Sequence, residues 1–214
     1  LNDFEISKVI THIEDKGELP FAVTESNIPV LGITGTGGAG KSSLIDELLL
    51  RFTRYYPTQR IALISVDPTK KKTQGALLGD RIRLGSAGFE NIFIRSLATR
   101  NSKNELSPQI ESVVKFLKSQ EFDLIIVETS GIGQASDSIT TISDKCTYVM
   151  TPEYGAASQL EKIEMIEVAD FIVVNKFEKP RSEDALRDIR KQYRRNHKLF
   201  ADHPGAPEDD GLPI

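Results

Sequence analysis

Residues 35–42 read Gly35-Thr36-Gly37-Gly38-Ala39-Gly40-Lys41-Ser42 and match the Walker A pattern in full. An apolar, β-branched run precedes this stretch, and a helix-like segment follows it. Glycines let successive backbone N–H groups point at phosphate oxygens, and the positive end of the next helix attracts anions. Lys41 is expected to reach the β- and γ-phosphates of a nucleotide, and the Ser42 hydroxyl to bind Mg²⁺. The stretch predicts a triphosphate-binding loop between a strand and a helix.

The rest of the chain repeats a short apolar run, a turn and a helical stretch. Strands are predicted at residues 30–34, 61–66, 91–95, 124–127, 147–150 and 171–174, and helices at 43–55, 107–119 and 182–197. This alternation favours parallel pairing and a three-layer α/β fold with a mostly parallel sheet, as in P-loop NTPases. Residues 3–15 carry apolar side chains at helical spacing, which predicts an amphipathic lead-in helix packed on this domain or on a neighbour.

Composition bounds the class of protein. The 214 residues suit one α/β domain, and 39% hydrophobic with 27% charged residues is typical of a soluble protein. A net charge of −4 gives no reason to expect nucleic acid or an anionic membrane as a partner. No apolar stretch approaches the ~20 residues that span a bilayer. The single cysteine, Cys146, fits a reducing cytoplasm and is expected to be a small buried residue.

Carboxylates follow two of the predicted strands. The run at residues 124–127 ends in Glu128-Thr129-Ser130-Gly131, an ExxG variant of the commoner DxxG. The run at 61–66 ends in Asp67, and Asp80 follows later. Ligands of α/β sheets bind at the carboxyl ends of strands, and Mg²⁺ prefers hard oxygen ligands. Glu128, Asp67 and Asp80 are therefore predicted to surround a magnesium ion.

The last strand leads into Asn175-Lys176-Phe177-Glu178. GTPases carry NKxD here, where the acid accepts two hydrogen bonds from guanine that adenine cannot supply together. In this chain glutamate replaces aspartate, which keeps the carboxylate one methylene further out. The segment predicts a guanine preference.

With these segments in hand, the sequence resembles the MeaB/ArgK-type GTPases that serve adenosylcobalamin-dependent acyl-CoA mutases. Within that group it is similar to the G-domains of fused proteins of the isobutyryl-CoA mutase type. The matching strings are GTGGAGKSS (35–43), GALLGDRIR (75–83), ETSGIGQ (128–134), MTPEYGAASQLEK (150–162) and NKFE (175–178). The second and fourth are specific to the group rather than general P-loop features.

The resemblance implies a G-domain of the SIMIBI class with Lys41 and Glu128 as catalytic residues. It implies that Arg83 contacts the nucleotide and Thr129 joins the metal site. The implied nucleotide-binding residues are Gly38, Ala39, Gly40, Lys41, Ser42, Ser43, Arg83, Asn175, Lys176, Phe177 and Glu178. The implied residues around Mg²⁺ are Ser42, Asp67, Asp80, Glu128 and Thr129. Gln134 is a weak candidate for positioning the attacking water.

The resemblance also implies a larger parent protein. The expected division is a helix and linker at 1–29, the GTPase domain at 30–200 and a linker fragment at 201–214. Cobalamin-binding and acyl-CoA mutase domains would flank these residues, so adenosylcobalamin is expected in the parent only. The expected partners are GTP or GDP, those two domains and further copies in a homo-oligomer, with no nucleic acid and no membrane.

Three other functions stay open from the residues alone. A nickel-delivery GTPase would need a His/Cys cluster, and the candidates His12, His197, His203 and Cys146 are mostly far apart in sequence. A small-molecule kinase would need an acceptor pocket and an arginine-rich lid. A binding module without turnover is disfavoured by the intact Lys41, Ser42 and Glu128.

Overall fold

The computed structural model of the chain describes residues 1–24, 26–67, 89–98, 108–129, 138–154, 163–199 and 211–214. The strands are β1 (Val30–Gly35), β2 (Ile61–Asp67), β3 (Ile92–Ala98), β4 (Leu124–Thr129), β5 (Lys145–Met150) and β6 (Phe171–Val174). The helices are α1 (Asp3–Lys16), α2 (Lys41–Tyr55), α3 (Pro108–Leu117), α4 (Ser138–Ile142), α5 (Met165–Val168) and α6 (Ser182–Asn196), with a 3₁₀ turn at Pro152–Tyr154. No helix in these ranges is long and apolar enough to cross a membrane.

The six strands among the described residues form one sheet in the order β3-β2-β4-β1-β5-β6, and every neighbouring pair is parallel. The predicted three-layer α/β architecture with a parallel sheet is therefore confirmed. Because β1 lies between β4 and β5, the loop that follows β1 sits at the middle of the carboxyl edge of the sheet. This is the edge at which ligands bind in open α/β folds.

Each face of the sheet has its own apolar core because side chains alternate along a strand. The α2 face buries Ile33, Ile45, Leu49, Ile61, Leu63, Ile92, Ile94, Ile126 and Val149. The opposite face packs its strand residues against α1, α3, α4, α5 and α6, and its core includes Ile64, Phe93, Val127, Tyr148 and Ile172 from the strands. The phosphate loop thus joins a strand and a helix that are both anchored in the core of the α2 face.

The lead-in helix α1 packs on this domain, which decides between the two expected placements. Asn2 and Glu5 form a capping box at its first turn. Near its other end, Glu14 accepts a hydrogen bond of 2.7 Å from Arg95 of β3. Phe4 is an exception to the apolar stripe because 68% of its surface is exposed. The fully buried side chains are Ile6, Ile10 and Ile13.

Residues 211–214 contact the outer edge strand of the described sheet. The N–H of Ile172 in β6 donates to the carbonyl of Pro213 at 2.9 Å. Leu212 is buried in the core of the face opposite α2, and Ile214 packs against it. The division into a helix with linker, a GTPase domain and a linker fragment stays a prediction.

The single cysteine lies in β5, where Cys146 is 2% exposed. Burial and the nearby Asp170 carboxylate raise the pKa of its thiol to about 12. A thiol held in its protonated form is a poor nucleophile and a poor metal ligand. Cys146 is therefore the small buried residue that the sequence predicts.

Candidate functional site: a phosphate loop with a paired serine and glutamate

The turn out of β1 depends on the absence of a side chain at Gly35. This residue has φ of 148°, and a Cβ there would lie 1.9 Å from the carbonyl oxygen of Val149 in β5. The next N–H, of Thr36, donates to that same oxygen at 3.1 Å. The loop therefore leaves the sheet in close contact with β5, and only glycine fits at its first position.

The loop closes through two residues in the left-handed region, Gly38 with φ of 72° and Gly40 with φ of 88°. Between them, the N–H of Ala39 donates to the Thr36 carbonyl at 3.1 Å, and the Ala39 side chain is fully buried. Helix α2 begins directly after Gly40. The start of α2 therefore lies at the carboxyl edge of the sheet, as a phosphate-binding helix requires.

Lys41 lies at the start of α2 and folds over the loop. Its ammonium donates to the carbonyl oxygens of Gly35 at 2.9 Å and Thr36 at 3.2 Å. The residue is only 8% exposed. The positive charge is thus held on the backbone of the predicted phosphate cradle.

Ser42 and Glu128 come together beside this loop, as the sequence predicts for a magnesium site. The Ser42 hydroxyl donates to Oε1 of Glu128 at 2.9 Å. A second hydroxyl, from Ser65 of β2, donates to Oε2 at 3.1 Å. A hydroxyl and a carboxylate are hard oxygen donors of the type that Mg²⁺ prefers, so these residues fit the metal.

The sequence reading did not single out Ser65. Ser65 and Glu128 are directly opposite each other in the β2–β4 pair. In the sequence, Ser65 stands out only as a polar residue within the apolar run Ile61-Ala62-Leu63-Ile64-Ser65-Val66. Because side chains alternate along a strand, it lies on the same face as Leu63. Its partner could be identified only from the register.

Thr129 does not share this arrangement. Because successive side chains of a strand alternate between the two faces of the sheet, Thr129 and Glu128 lie on different faces. Thr129 is 1% exposed, and its hydroxyl donates to that of Thr34 in β1 at 2.8 Å. The structure therefore does not bring the Thr129 hydroxyl to Ser42 and Glu128, and its metal role stays a prediction.

The segment predicted to read the base begins directly after β6 and contacts the phosphate loop. The Asn175 amide donates to the Ala39 carbonyl at 2.7 Å. The Lys176 ammonium donates to the Gly38 carbonyl, also at 2.7 Å. Phe177 and Glu178 are exposed. Two of the four residues thus tie the segment to the loop, while the predicted base-reading carboxylate stays open to a ligand.

An ion pair at the same edge joins the 3₁₀ turn after β5 to the residue after the base segment. The Lys179 ammonium donates a hydrogen bond to the Glu153 carboxylate, and this bond is the main reason that the pKa of the Glu153 carboxyl is lowered to about 2. Both side chains are substantially exposed. The pair therefore connects the 3₁₀ turn, which belongs to the fourth matching string (150–162), to the residue that follows the base segment.

Several predicted residues lie outside the described part of the chain. These are Asp80, Arg83 and Gln134, together with residues 155–162 of the fourth matching string. Asp67 ends β2, but its side chain is also outside the description. Among the described residues, no group of three or more His, Cys, Asp or Glu side chains is placed to hold a metal ion.

Comparison with known proteins shows the family to which this chain is similar. Residues 21–205 match the family described as methylmalonyl-CoA mutase-associated GTPase MeaB. A fused isobutyryl-CoA mutase of Geobacillus kaustophilus is 59% identical over 176 residues, which are 82% of this chain and 16% of the relative. The chain thus spans about one sixth of that protein's length.

Two solved structures share the fold at low sequence identity. A LAO/AO transport system kinase has a TM-score of 0.60 and 22% identity, with 97% of this chain and 62% of the other covered. HypB of Helicobacter pylori, in complex with nickel, has a TM-score of 0.57 and 15% identity, with 91% and 81% covered. These likenesses confirm the P-loop NTPase fold, and the family match covers the loop, the Ser42–Glu128 pair and the base segment. The chain therefore belongs to the MeaB family of methylmalonyl-CoA mutase-associated GTPases.

Proposed function

We propose that this chain binds and hydrolyses GTP with Mg²⁺, and that it gates adenosylcobalamin loading of an acyl-CoA mutase as its G-protein chaperone domain. The observation that carries the first part is the Ser42–Glu128 hydrogen bond of 2.9 Å at the start of α2. It brings a hydroxyl and an acid from distant parts of the sequence to the phosphate loop. Membership in a family of GTPases supports hydrolysis rather than binding alone.

Each residue has a role in this proposal. The loop N–H groups and the N-terminus of α2 bind the phosphates, and Lys41 exchanges its contacts with the Gly35 and Thr36 carbonyls for phosphate oxygens. Ser42 and Glu128, with Asp67 and Asp80, would hold Mg²⁺. When bound, the metal neutralises charge on the phosphoryl group that is transferred.

Guanine preference is assigned to residues 175–178. Asn175 and Lys176 are fixed on the loop by hydrogen bonds to Ala39 and Gly38. These contacts set the distance between the phosphates and the base. The backbone of the segment is therefore held in place, and the Glu178 side chain must reach the guanine edge from that position. Its extra methylene should weaken that contact relative to aspartate.

The gating role is proposed for the parent protein. The fused isobutyryl-CoA mutase of Geobacillus kaustophilus matches this chain over 16% of its own length, so a mutase domain and a cobalamin-binding domain in the same polypeptide are the expected partners. Residues 131–134 and 151–162 are the expected switch segments. Gly131 and Gly133 come two and four residues after the end of β4 in the sequence, and the Glu153–Lys179 pair links the start of the second segment to the residue after the base segment.

The test of hydrolysis compares GTP and ATP with and without Mg²⁺. Release of inorganic phosphate from GTP, dependent on Mg²⁺ and faster than from ATP, is expected with water as the only acceptor. Phosphate release only after addition of a small-molecule acceptor would instead indicate a kinase. GTP binding without any turnover would indicate a binding module.

The gate is tested in the parent protein by hydrogen exchange and cofactor uptake. Protection of residues 131–134 and 151–162 should differ between GDP and a non-hydrolysable GTP analogue, and adenosylcobalamin uptake should differ with it. Identical protection and uptake in the two nucleotide states would leave a GTPase that is not a gate.

A further inference from the structure

Ser65 lies near the carboxyl end of β2, in the same register row as Ile33 of β1, two residues before the phosphate loop begins at Gly35. In the sheet register it stands between Glu128 of β4 and Ser96 of β3. It is half-buried, and its hydroxyl donates to Oε2 of Glu128 at 3.1 Å. Ser65 therefore contacts the carboxylate from the interior of the sheet, on the side away from β1.

The two hydroxyls that meet Glu128 differ in their freedom. Ser42 is exposed and is expected to turn its oxygen to a metal ion, which changes its contact with Oε1. Ser65 belongs to a strand that is paired along its length on both sides, so its backbone is fixed. A glutamate side chain has three rotatable bonds, and one contact from a fixed strand restricts all of them.

We propose that Ser65 is a positioning residue, whose hydroxyl holds Oε2 of Glu128 so that Oε1 stays beside Ser42 where Mg²⁺ binds. Ser65 itself does not bind the metal or the nucleotide. It acts on the affinity of the nucleotide-bound protein for Mg²⁺ through Glu128. This inference rests on the proposed magnesium-dependent nucleotide binding, and it does not require that GTP is hydrolysed.

The test measures release of a fluorescent GDP analogue as a function of Mg²⁺ concentration. In Ser65→Ala, the Mg²⁺ concentration that half-maximally slows release should rise about tenfold, as expected for loss of one hydrogen bond to a charged group. GDP affinity in excess chelator should be unchanged. Electron paramagnetic resonance of Mn²⁺ with GDP present gives the same comparison directly, since weaker metal binding raises the signal of free Mn²⁺.

Two matched variants separate positioning from strand packing. Ser65→Thr keeps the hydroxyl on a residue that suits a strand, and it should restore the wild-type Mg²⁺ requirement. Ser96→Ala makes the same change in the same register row, one strand further from Glu128, and should have no effect. A shift of similar size in Ser96→Ala, or no rescue in Ser65→Thr, would overturn the proposal.

The remaining outcomes distinguish this inference from the proposed function. An unchanged Mg²⁺ requirement in Ser65→Ala refutes the positioning role even if the wild-type protein is an active GTPase. A wild-type protein that hydrolyses no GTP, but whose GDP release still depends on Mg²⁺ and on Ser65, refutes hydrolysis and supports positioning. Wild-type GDP release that is indifferent to Mg²⁺ overturns both.

Discussion

Gly40→Ala should loosen the link between the phosphate loop and the base segment. Gly40 has φ of 88°, and a left-handed conformation costs a residue with a side chain about 1–2 kcal/mol. The new methyl group would also lie 2.5 Å from the Asn175 amide nitrogen, which donates to Ala39 at 2.7 Å. Displacing that amide would break its hydrogen bond to Ala39, and such a bond contributes about 0.5–1.5 kcal/mol to the free energy of unfolding. The expected loss in free energy of unfolding is about 1.5–3.5 kcal/mol.

Gly38→Ala is the matched control. Gly38 is also left-handed, with φ of 72°, but a methyl group there would meet no atom of the described chain within 4 Å. It should show the conformational cost alone, so Gly40→Ala should be less stable by about 0.5–1.5 kcal/mol. Urea unfolding followed by circular dichroism measures both variants.

A second comparison uses Asn175→Ala as the background. Without the amide, the methyl group at Gly40 has nothing to displace, and the Gly40→Ala and Gly38→Ala losses should become equal. Equal losses already in the presence of Asn175 would refute the reasoning, because the close contact would then carry no energy. A difference that persists without Asn175 would refute it as well.

Three further predictions concern the proposed chemistry. Lys41→Ala should abolish GTP binding measured by calorimetry, while far-UV circular dichroism shows that the chain is still folded. Lys41→Met keeps the buried aliphatic part of the side chain and should lose GTP binding to the same extent if the positive charge is what binds the phosphates. Glu178→Ala should lower GTP affinity about tenfold or more, and Glu178→Asp should increase the preference for GTP over ATP. If both the wild-type protein and Glu178→Ala bind GTP and ATP with equal affinity, Glu178 does not read the base. Glu128→Ala and Asp67→Ala should lower GTP turnover more than GTP affinity, and equal losses would reduce these acids to structural roles.

The strands could be predicted closely because each is a buried, β-branched run. β6 ends as predicted, whereas β3 extends to Ala98, beyond the predicted end at Arg95. An arginine inside a strand breaks the apolar pattern, although here its charge is paired with Glu14 of α1. That partner is distant in sequence and could not be read from the strand itself.

The starts of helices and the shortest helices could not be predicted from the spacing of apolar residues. Helix α2 begins at Lys41 rather than near Ser43 because Gly40, in a left-handed conformation, directly precedes it. Helix α4 has five residues and α5 has four, too few to display a helical period. A glycine within a strand, Gly32 of β1, indicates that another element approaches closely there, and in the structure a Cβ at Gly32 would lie 2.8 Å from the Ile139 side chain of α4.

The candidate site divides in the same way. The phosphate loop and the base segment are each contiguous, so their residues could be named from motifs. The contacts from Asn175 and Lys176 to the loop join residues more than 130 positions apart and needed the fold. Ser65 went unrecognised because its role comes from the strand register.

The contact between Ile172 and Pro213 bears on how shortened versions of this chain would behave. A strand at the end of a sheet offers unpaired N–H and C=O groups that can capture a strand from another molecule. Here residues 211–214 occupy part of that edge, beside the half-exposed ring of Phe171. A version that ends at residue 199 would leave the N–H of Ile172 open next to an apolar side chain. Self-association through added strands is then the expected hazard, and residues 211–214 act as the edge's own cover.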